Sequence, residues 1–556
     1  MSKPTTIHII PTAIIVITLA IIFVVGNDSM RPDLMEVRNL VTAREMVYDH
    51  HVMVPTMNGE IRLEKPPLPT WIAAVVERIS PDNINMQRGV AALMAMLWTM
   101  WLYMFVYRIT QRRKTAIYTM LLFATCYPVI LHARTATWDV FCHAFMMGAI
   151  YYIYRALYED THIVRNFVLG GALFGLSFMS KGPVSPYALF LPFIISMVWY
   201  RTPSLKGKAW PLVGAIAIAV VIGGWWYAYV RLFEPEAMSH VINKESTSWI
   251  NHNVRPWFYY WRFFLETGIW SILMLTTMIL WFKRKNFLDD TTQRQWTFAM
   301  LWVVVALVLL SLMPEKKMRY LLPMMVPCSL SMVYALEYIS KGSMLGRVFF
   351  AINKWALSII CLALPVVAYI FIVKDGAMGV FSFVVFSLGY VGFAFYAARI
   401  RHARLSYRIP PVVYAIFVWV VLFIMPNINS IFGNTNSRNT TCLKDNRAIK
   451  QLPMYYVNKG EHQFRIDMVY QTHHKIKELE SEALIDSAKQ EFKQALPMPC
   501  ALLTDSATAS TVAAIAHKKQ YTVVNYGKFD DNISKRNRQH YKEGLCNYLL
   551  VLKQSK

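Results

Sequence analysis

Acidic residues are scarce in this sequence of 556 residues: 33 Asp and Glu stand against 57 Lys and Arg, and charged residues of both signs make up only 16% of the chain against 56% apolar. That proportion is too apolar for a soluble protein of this length. The net charge of +24 does not point to nucleic acid, because the cations lie scattered between apolar runs instead of gathering on one soluble basic face. Cysteine is sparse as well. The seven cysteines include no CxxC pair and no close Cys/His cluster, which excludes a zinc ribbon or a disulfide scaffold. Cys126, Cys142, Cys328 and Cys361 fall in apolar runs and read as packing residues, whereas Cys442, Cys500 and Cys546 fall in a polar tail with room for one disulfide. Internal repeats are lacking, as are broken helices in matching halves, so a transporter or lipid flippase is the alternative reading and not the leading one.

What the sequence has in abundance is long apolar runs. A membrane core of about 30 Å needs roughly 20 apolar residues per helix. Candidate spans fall at 7–26, 86–107, 116–131, 139–154, 166–180, 184–200, 210–230, 266–282, 295–312, 320–338, 348–373, 379–398 and 410–428. The first run has no small-residue cleavage site before Asn27 and is read as an uncleaved helix. The fold class expected is an all-α polytopic membrane protein of about thirteen transmembrane helices over 1–428, with a small α/β domain over 429–556. In that tail, strands are expected at 465–471, 501–504, 521–526 and 548–552, and helices at 474–495 and 506–518.

Basic residues in the short connections orient the chain. With the N-terminus cytoplasmic, Arg108, Arg112, Arg155, Arg201, Lys208, Lys341, Arg347 and Arg399 face the cytoplasm, and an odd number of spans puts the tail on the periplasmic side. Two long loops, 27–85 and 231–265, then face outward with several short turns. Arg38, Lys65, Arg134, Lys181, Arg255, Lys316, Lys317 and Arg319 oppose the insertion bias there. Cations on the disfavoured side need another reason to be present, and an anionic ligand at the outer interface supplies one.

The densest group lies in the first outer loop. Residues 34–47 carry apolar side chains at helical spacing with charges between them, which suits a helix lying in the membrane interface. Asn58-Gly59 marks a turn, and Pro66-Pro67 stiffens the chain just after Glu64-Lys65. Asp139 opens the fourth span, where a helix N-cap is the plain alternative. Lys181 sits in a Ser-Lys-Gly-Pro turn, where the alternative is a lysine snorkelling to the headgroups. The run from Pro314 to Pro323 places Lys316, Lys317, Arg319 and Tyr320 together at the mouth of another span.

The pattern Glu36-x-Arg38, Ala43-Arg44-Glu45-Met46, Asn58-Gly59, Glu64-Lys65-Pro66-Pro67-Leu68, Asp139, Lys181-Gly182-Pro183 and Arg319-Tyr320-x-x-Pro323 resembles the bacterial branch of the protein O-mannosyltransferase superfamily. It is similar in particular to the 4-amino-4-deoxy-L-arabinose lipid A transferases. The resemblance implies a GT-C fold and a glycosyltransferase of the bacterial inner membrane that uses a polyprenyl-phosphate-linked sugar. The acceptor is a lipid, glycan or protein, met among membrane lipids and with no nucleic acid involved. By the same resemblance Glu36, Glu64 and Asp139 are the catalytic acids, and Arg38, Lys65, Lys181, Arg255, Arg319 and Tyr320 hold the donor phosphate. Two departures stand out. The family commonly has an Asp before the first-loop Glu, where this chain has Met35. It also places a metal-binding His in the large outer loop, where this chain reads Asn243-Lys244-Glu245-Ser246. A divalent metal is therefore left open as a cofactor, with Glu64 as the ligand if one is present.

Direct displacement of a phosphate from the anomeric carbon inverts the sugar. A hydroxyl acceptor needs a base, for which Glu36 and Asp139 are the candidates, whereas a phosphate acceptor needs none. Aromatics such as Trp71, Trp225 and Trp257 gather near the outer interface and read first as an ordinary aromatic belt.

Overall fold

In a computed structural model, residues 9–283, 288–374, 376, 378–402, 405–429, 433–434, 438–458, 464–486, 491–532 and 546–554 are described. The chain divides into one unit formed by Met1–Asp28 with Arg62–Pro426 and another formed by Ser29–Ile61 with Asn427–Lys556. The sequence reading kept the whole loop 27–85 with the membrane part. In the structure its first half belongs with the tail.

The described part of the first unit is predominantly helical. Among the described residues nine helices are long and apolar enough to cross a membrane, or up to 11 if each of two bent pairs is one span. Each of the thirteen expected segments holds a helix, but four of them do not count as one long straight span. Segment 116–131 is the pair Arg113–Ala124 and Tyr127–Ala133, bent by 69°, and 266–282 falls on Trp257–Glu266 and Gly268–Lys283, bent by 97°. The first bend follows from Pro128, which lacks the amide a continuing helix needs. The second turns on Gly268, whose φ of +67° favours glycine. Segments 7–26 and 184–200 contain the shorter apolar helices Ile14–Val24 and Pro186–Tyr200; residues 7 and 8 lie outside the described residues.

Small residues set how closely the central helices approach. A Cβ added to Gly171 would stand 2.3 Å from the Ala215 carbonyl oxygen, and one on Gly175 would stand 2.7 Å from Ile222 Cβ. Helices Ile163–Lys181 and Ala209–Phe233 therefore meet nearly backbone to backbone, as apolar helices do where no hydrophobic force drives them together. On the opposite side of Ile163–Lys181, Gly170 accommodates Ile153 of Trp138–Tyr158 in the same way. At the end of the bundle remote from Asp139, Glu159 accepts from Arg108 and Arg155, which joins Ile84–Thr110 to Trp138–Tyr158.

The second unit is an α/β sandwich. Five strands stand in the order Ile476–Glu480, Met454–Asn458, Cys500–Thr504, Cys546–Gln554, Tyr521–Asp530, the first three parallel and the last two antiparallel to their neighbours. Cys500–Thr504 is buried along its whole length, as a central strand covered on both faces must be. Val512, Ile515 and Ala516 of helix Ser506–Lys518 cover one face, and Val37 and Val41 of helix Leu34–Tyr48 join Leu503, Val551 and Met468 on the other.

Several expectations for these residues are corrected. Leu34–Tyr48 is a helix, begun by an Asp33 side chain that accepts from the Glu36 amide at 2.8 Å, but its apolar stripe enters the core of a folded domain instead of lying in the membrane interface. Segment 465–471, expected as a strand, is the helix Ile466–Thr472, and the strand Met454–Asn458 was not foreseen. Within 474–495, expected as one helix, the chain forms strand Ile476–Glu480, a short turn of helix Ser481–Leu484, and strands Ile485–Asp486 and Glu491–Phe492; residues 487–490 lie outside the described residues. Pairing of Ile476–Glu480 with its one parallel neighbour, Met454–Asn458, overrides the helical preference of this Lys/Glu-rich stretch. Cys442, Cys500 and Cys546 are free, so the disulfide that the tail had room for is not formed.

Glu45 ties the first loop together. Its buried carboxylate accepts from Thr56 Oγ1 at 2.6 Å, from the Asn58 amide at 2.6 Å and from the Gly59 amide at 3.2 Å. Asn58 in turn exchanges hydrogen bonds of 2.7 and 2.8 Å with Ile476 at the sheet edge. Glu45→Ala is expected to cost the second unit about 2–3 kcal/mol, since it leaves charged-acceptor bonds unmade. Hydrogen exchange checks this: the amides of residues 56–59 and 476 should exchange faster, and unchanged protection there would contradict it.

Candidate functional site

Buried diproline Pro66-Pro67 starts helix Leu68–Ile79 and fixes the direction of the residues before it. Glu64 and Lys65 thereby face the helix Pro235–Asn251. Lys244 Nζ donates to Glu64 Oε1 at 3.0 Å, and Lys65 Nζ donates to Glu245 Oε1 at 3.4 Å. Arg62, itself buried, lies 3.9 Å from Glu64 and stacks 5.1 Å over the Trp138 ring.

The next residue after Trp138 is Asp139, and its carboxylate forms a buried ion pair with Lys181. These two groups stand at the start of Trp138–Tyr158 and the end of Ile163–Lys181, so an antiparallel helix pair brings them together. Lys181, His132 and Arg319 are all near enough to act electrostatically on Asp139, and Lys181 and Arg62 act in the same way on Lys65. Gly182 then turns the chain with φ +65° and would bring a Cβ within 3.3 Å of the Tyr227 hydroxyl. Below the turn His143 Nδ1 pairs with Ser185 Oγ at 3.0 Å.

A third cluster surrounds the buried Glu315. It accepts from the Tyr320 hydroxyl at 3.0 Å, pairs with Lys317, and lies 3.5 Å from His252 Nδ1. Arg319 stacks 5.8 Å over the Tyr320 ring. Glu315 and Tyr320 line an apolar groove of about 360 Å³, with Pro183, Tyr187, Trp249 and Leu310 among its other walls. The groove opens two residues after Lys181.

Charge on these groups follows from their surroundings. Burial raises the Glu64 pKa, but the Lys244 hydrogen bond, the backbone and the Arg62 charge outweigh it, so the carboxyl lies below its ordinary value. Glu315 is held low by Lys317, Tyr320 and His252 against the same burial penalty. For Lys65 burial is the largest influence and lowers the pKa; Glu245 opposes it, while Lys181 and Arg62 add to it. An anion bound by protonated Lys65 should therefore bind less well as pH rises, and the loss should begin below the pH at which an ordinary lysine with a value of 10.5 deprotonates. Lys65→Arg keeps its charge throughout that range, so the pH profile of anion affinity in this variant should stay flat where that of the parent falls.

Of the residues singled out from sequence, Glu64, Lys65, Asp139, Lys181, Arg319 and Tyr320 all belong to this end of the first unit. Arg255 is exposed, and its backbone amide bonds Pro314 O at 3.4 Å. Glu36, whose side chain is buried, and Arg38 stand on Leu34–Tyr48 in the second unit. Arg134 and Lys316 have structural duties, Arg134 donating to the Ile22 and Val25 carbonyls and Lys316 to Met313. The sequence alone assigned no site role to Arg62, Lys244, Glu245 or Glu315. A signal was present for two of them: Lys244-Glu245 is the charge inverse of Glu64-Lys65.

The donor set does not fit a metal. Glu64 is bonded by an ammonium and neighboured by a guanidinium, and among the described residues no group of three His, Cys, Asp or Glu side chains converges.

Residues 64–227 match the family model described as dolichyl-phosphate-mannose-protein mannosyltransferase, a stretch that holds Glu64, Lys65, Asp139 and Lys181. The chain is 25% identical over 324 residues to an undecaprenyl phosphate-alpha-4-amino-4-deoxy-L-arabinose arabinosyl transferase of Pseudomonas savastanoi pv. phaseolicola, covering 55% of this chain and 57% of that protein. It is 23% identical over 359 residues to the transferase of the same name in Shewanella sediminis, covering 62% of each. The chain thus matches about six tenths of the length of these curated relatives. Among solved structures, ArnT from Cupriavidus metallidurans bound to undecaprenyl phosphate superposes with a TM-score of 0.68 at 14% identity, covering 97% of both chains. That likeness shows the fold: a helical bundle with a C-terminal domain, shared nearly end to end. The family resemblance drawn from the motifs is therefore met by the matching family model, by the curated relatives and by a common fold.

Proposed function

We propose that this chain is a membrane glycosyltransferase that moves a sugar from a polyprenyl-phosphate carrier to a lipid, glycan or protein acceptor, with inversion at the anomeric carbon. One observation carries the reading. At the end of the bundle, beside an apolar groove, four cations, Arg62, Lys65, Lys181 and Lys244, share three carboxylates, Glu64, Asp139 and Glu245. The excess of positive charge favours a further anion there, and the groove suits the chain of a lipid phosphate.

In the reaction the acceptor oxygen bonds to the anomeric carbon from the face opposite the carrier. The bond from that carbon to the phosphate oxygen breaks, and its electron pair stays on the phosphate. Charge grows on the phosphate oxygens as the bond stretches, and Lys65, with Arg62 and Lys181 near it in the fold, is poised to stabilise it in a low-dielectric setting. Asp139 holds Lys181 in position through their buried pair. A hydroxyl acceptor gives its proton to a carboxylate, for which Glu36 is the candidate on the strength of the family resemblance; a phosphate acceptor arrives already ionised. No step requires a metal.

A transporter is disfavoured because the unusual charges stand at helix ends and not at mid-membrane. The orientation we infer has the N-terminus in the cytoplasm of a bacterial inner membrane and the C-terminal tail in the periplasm. The Arg108, Arg112 and Arg155 cluster at the other end of the bundle supports it. The test is incubation of the purified chain with radiolabelled undecaprenyl-phosphate pentose and envelope lipids. Label should move to an acceptor and be lost in Glu36→Gln. Carrier-dependent transfer that never appears with any envelope fraction would count against an enzyme.

A further inference from the structure

We infer that Lys244 and Glu245 form a charge clasp that takes the place of a metal cross-link and opens halfway when donor binds: the donor phosphate displaces Glu245 from Lys65 while Lys244 keeps hold of Glu64. This rests on the donor class proposed above, and it assigns positioning roles to two residues outside the family motifs.

The two pairs are reciprocal. Adjacent Glu64-Lys65 meets adjacent Lys244-Glu245, each bond spanning 180 positions of sequence. The helix that carries Lys244 and Glu245 needs such fastening, because Met238 is the one buried residue among the 17 from Pro235 to Asn251. Its position matters to the site, since Trp249 one turn further on is a wall of the apolar groove. A metal could join these segments only with a set of ligands that is not there; an ammonium opposite Glu64 does the same joining with the opposite charge already built in.

The two pairs differ in how readily they part. Lys244 to Glu64 is the shorter, at 3.0 Å, whereas Lys65 to Glu245 is 3.4 Å. Lys65 lies in the field of Lys181 and Arg62, and Glu245 is the acid that balances it. The donor phosphodiester matches one carboxylate in charge and arrives with an apolar chain for the adjoining groove, and the carrier phosphate left after transfer carries a second negative charge, so it wins the exchange. Glu64 offers a phosphate nothing, and its bond to Lys244 survives.

The test measures binding of undecaprenyl phosphate to the full chain in detergent, with undecaprenol as the phosphate-free control. Glu245→Gln and Glu245→Asp remove or shorten the competing carboxylate and are expected to tighten undecaprenyl phosphate binding about two- to five-fold, the scale of a partly exposed ion pair, with undecaprenol binding unchanged. Lys244→Met is expected to speed hydrogen exchange across residues 235–251, and chelator treatment of the parent chain is expected to alter neither affinity nor exchange. Unchanged or weaker phosphate binding in both Glu245 variants overturns the exchange step. Affinity or protection lost to chelator and restored by zinc overturns the clasp. If the parent chain itself binds undecaprenyl phosphate no better than undecaprenol, the donor assignment fails; the exchange rates in Lys244→Met still decide the fastening.

Discussion

Lys65→Ala should lower kcat/KM for a polyprenyl-phosphate sugar by about 10²–10³-fold, the loss seen when one fixed group that stabilises developing charge is removed. The reason is position. Lys65 is directed by two buried prolines and lies close to Lys181 and Arg62. Folding should change little, because Lys65 is partly exposed and its partner Glu245 is 34% exposed. Lys65→Arg should recover part of the loss, since charge is kept while the compact ammonium is exchanged for a planar fork. The measurement is initial rate against donor concentration, with thermal unfolding alongside. Normal turnover in Lys65→Ala would remove the cation cluster from the chemistry.

The Asp139–Lys181 pair should show the opposite balance, with a large effect on stability as well as on rate. Asp139→Ala leaves an ammonium buried among helices with no counter-charge, which is expected to cost about 3–5 kcal/mol. Lys181→Met should do the same to the carboxylate. Replacing both, as Asp139→Leu with Lys181→Met, should restore most of the stability, because a buried pair is often worth little more than apolar residues of its size. It should not restore turnover. Thermal unfolding and activity measured on all three variants separate the two roles: recovery of both in the double variant would make the pair a structural feature, and recovery of neither would show that apolar side chains cannot replace the pair at this corner.

Much of the site was legible because one rule was broken locally. In the orientation inferred from the basic connections, Lys65, Lys181 and Arg319 are cations on the disfavoured side, and the structure brings each near an acid or another cation of the same group. The same criterion also selected Arg134 and Lys316, which serve backbone carbonyls instead. Misplacement of charge indicates that a cation has a partner; it does not distinguish a ligand from a helix end. Glu315 does not stand out in the sequence, where three cations follow it within four residues, yet it is the acceptor that Lys317 and Tyr320 share.

Hydropathy by itself determined that the chain is polytopic and where its helices lie, since apolar length is a local property that a bilayer reads residue by residue. The motif from Glu64 to Leu68 likewise determined the family likeness. Only the tertiary structure decided which spans bend, because the turns at Pro128 and Gly268 are packed against each other, with Tyr127 3.2 Å from the position of a Gly268 Cβ. It alone moved Leu34–Tyr48 from the membrane part to the core of the tail domain, and it alone turned residues 476–480 into a strand. The helix depends on core residues hundreds of positions away in sequence and the strand on its neighbour Met454–Asn458, and a period of 3.6 or 2 says which face is apolar but not what will cover it.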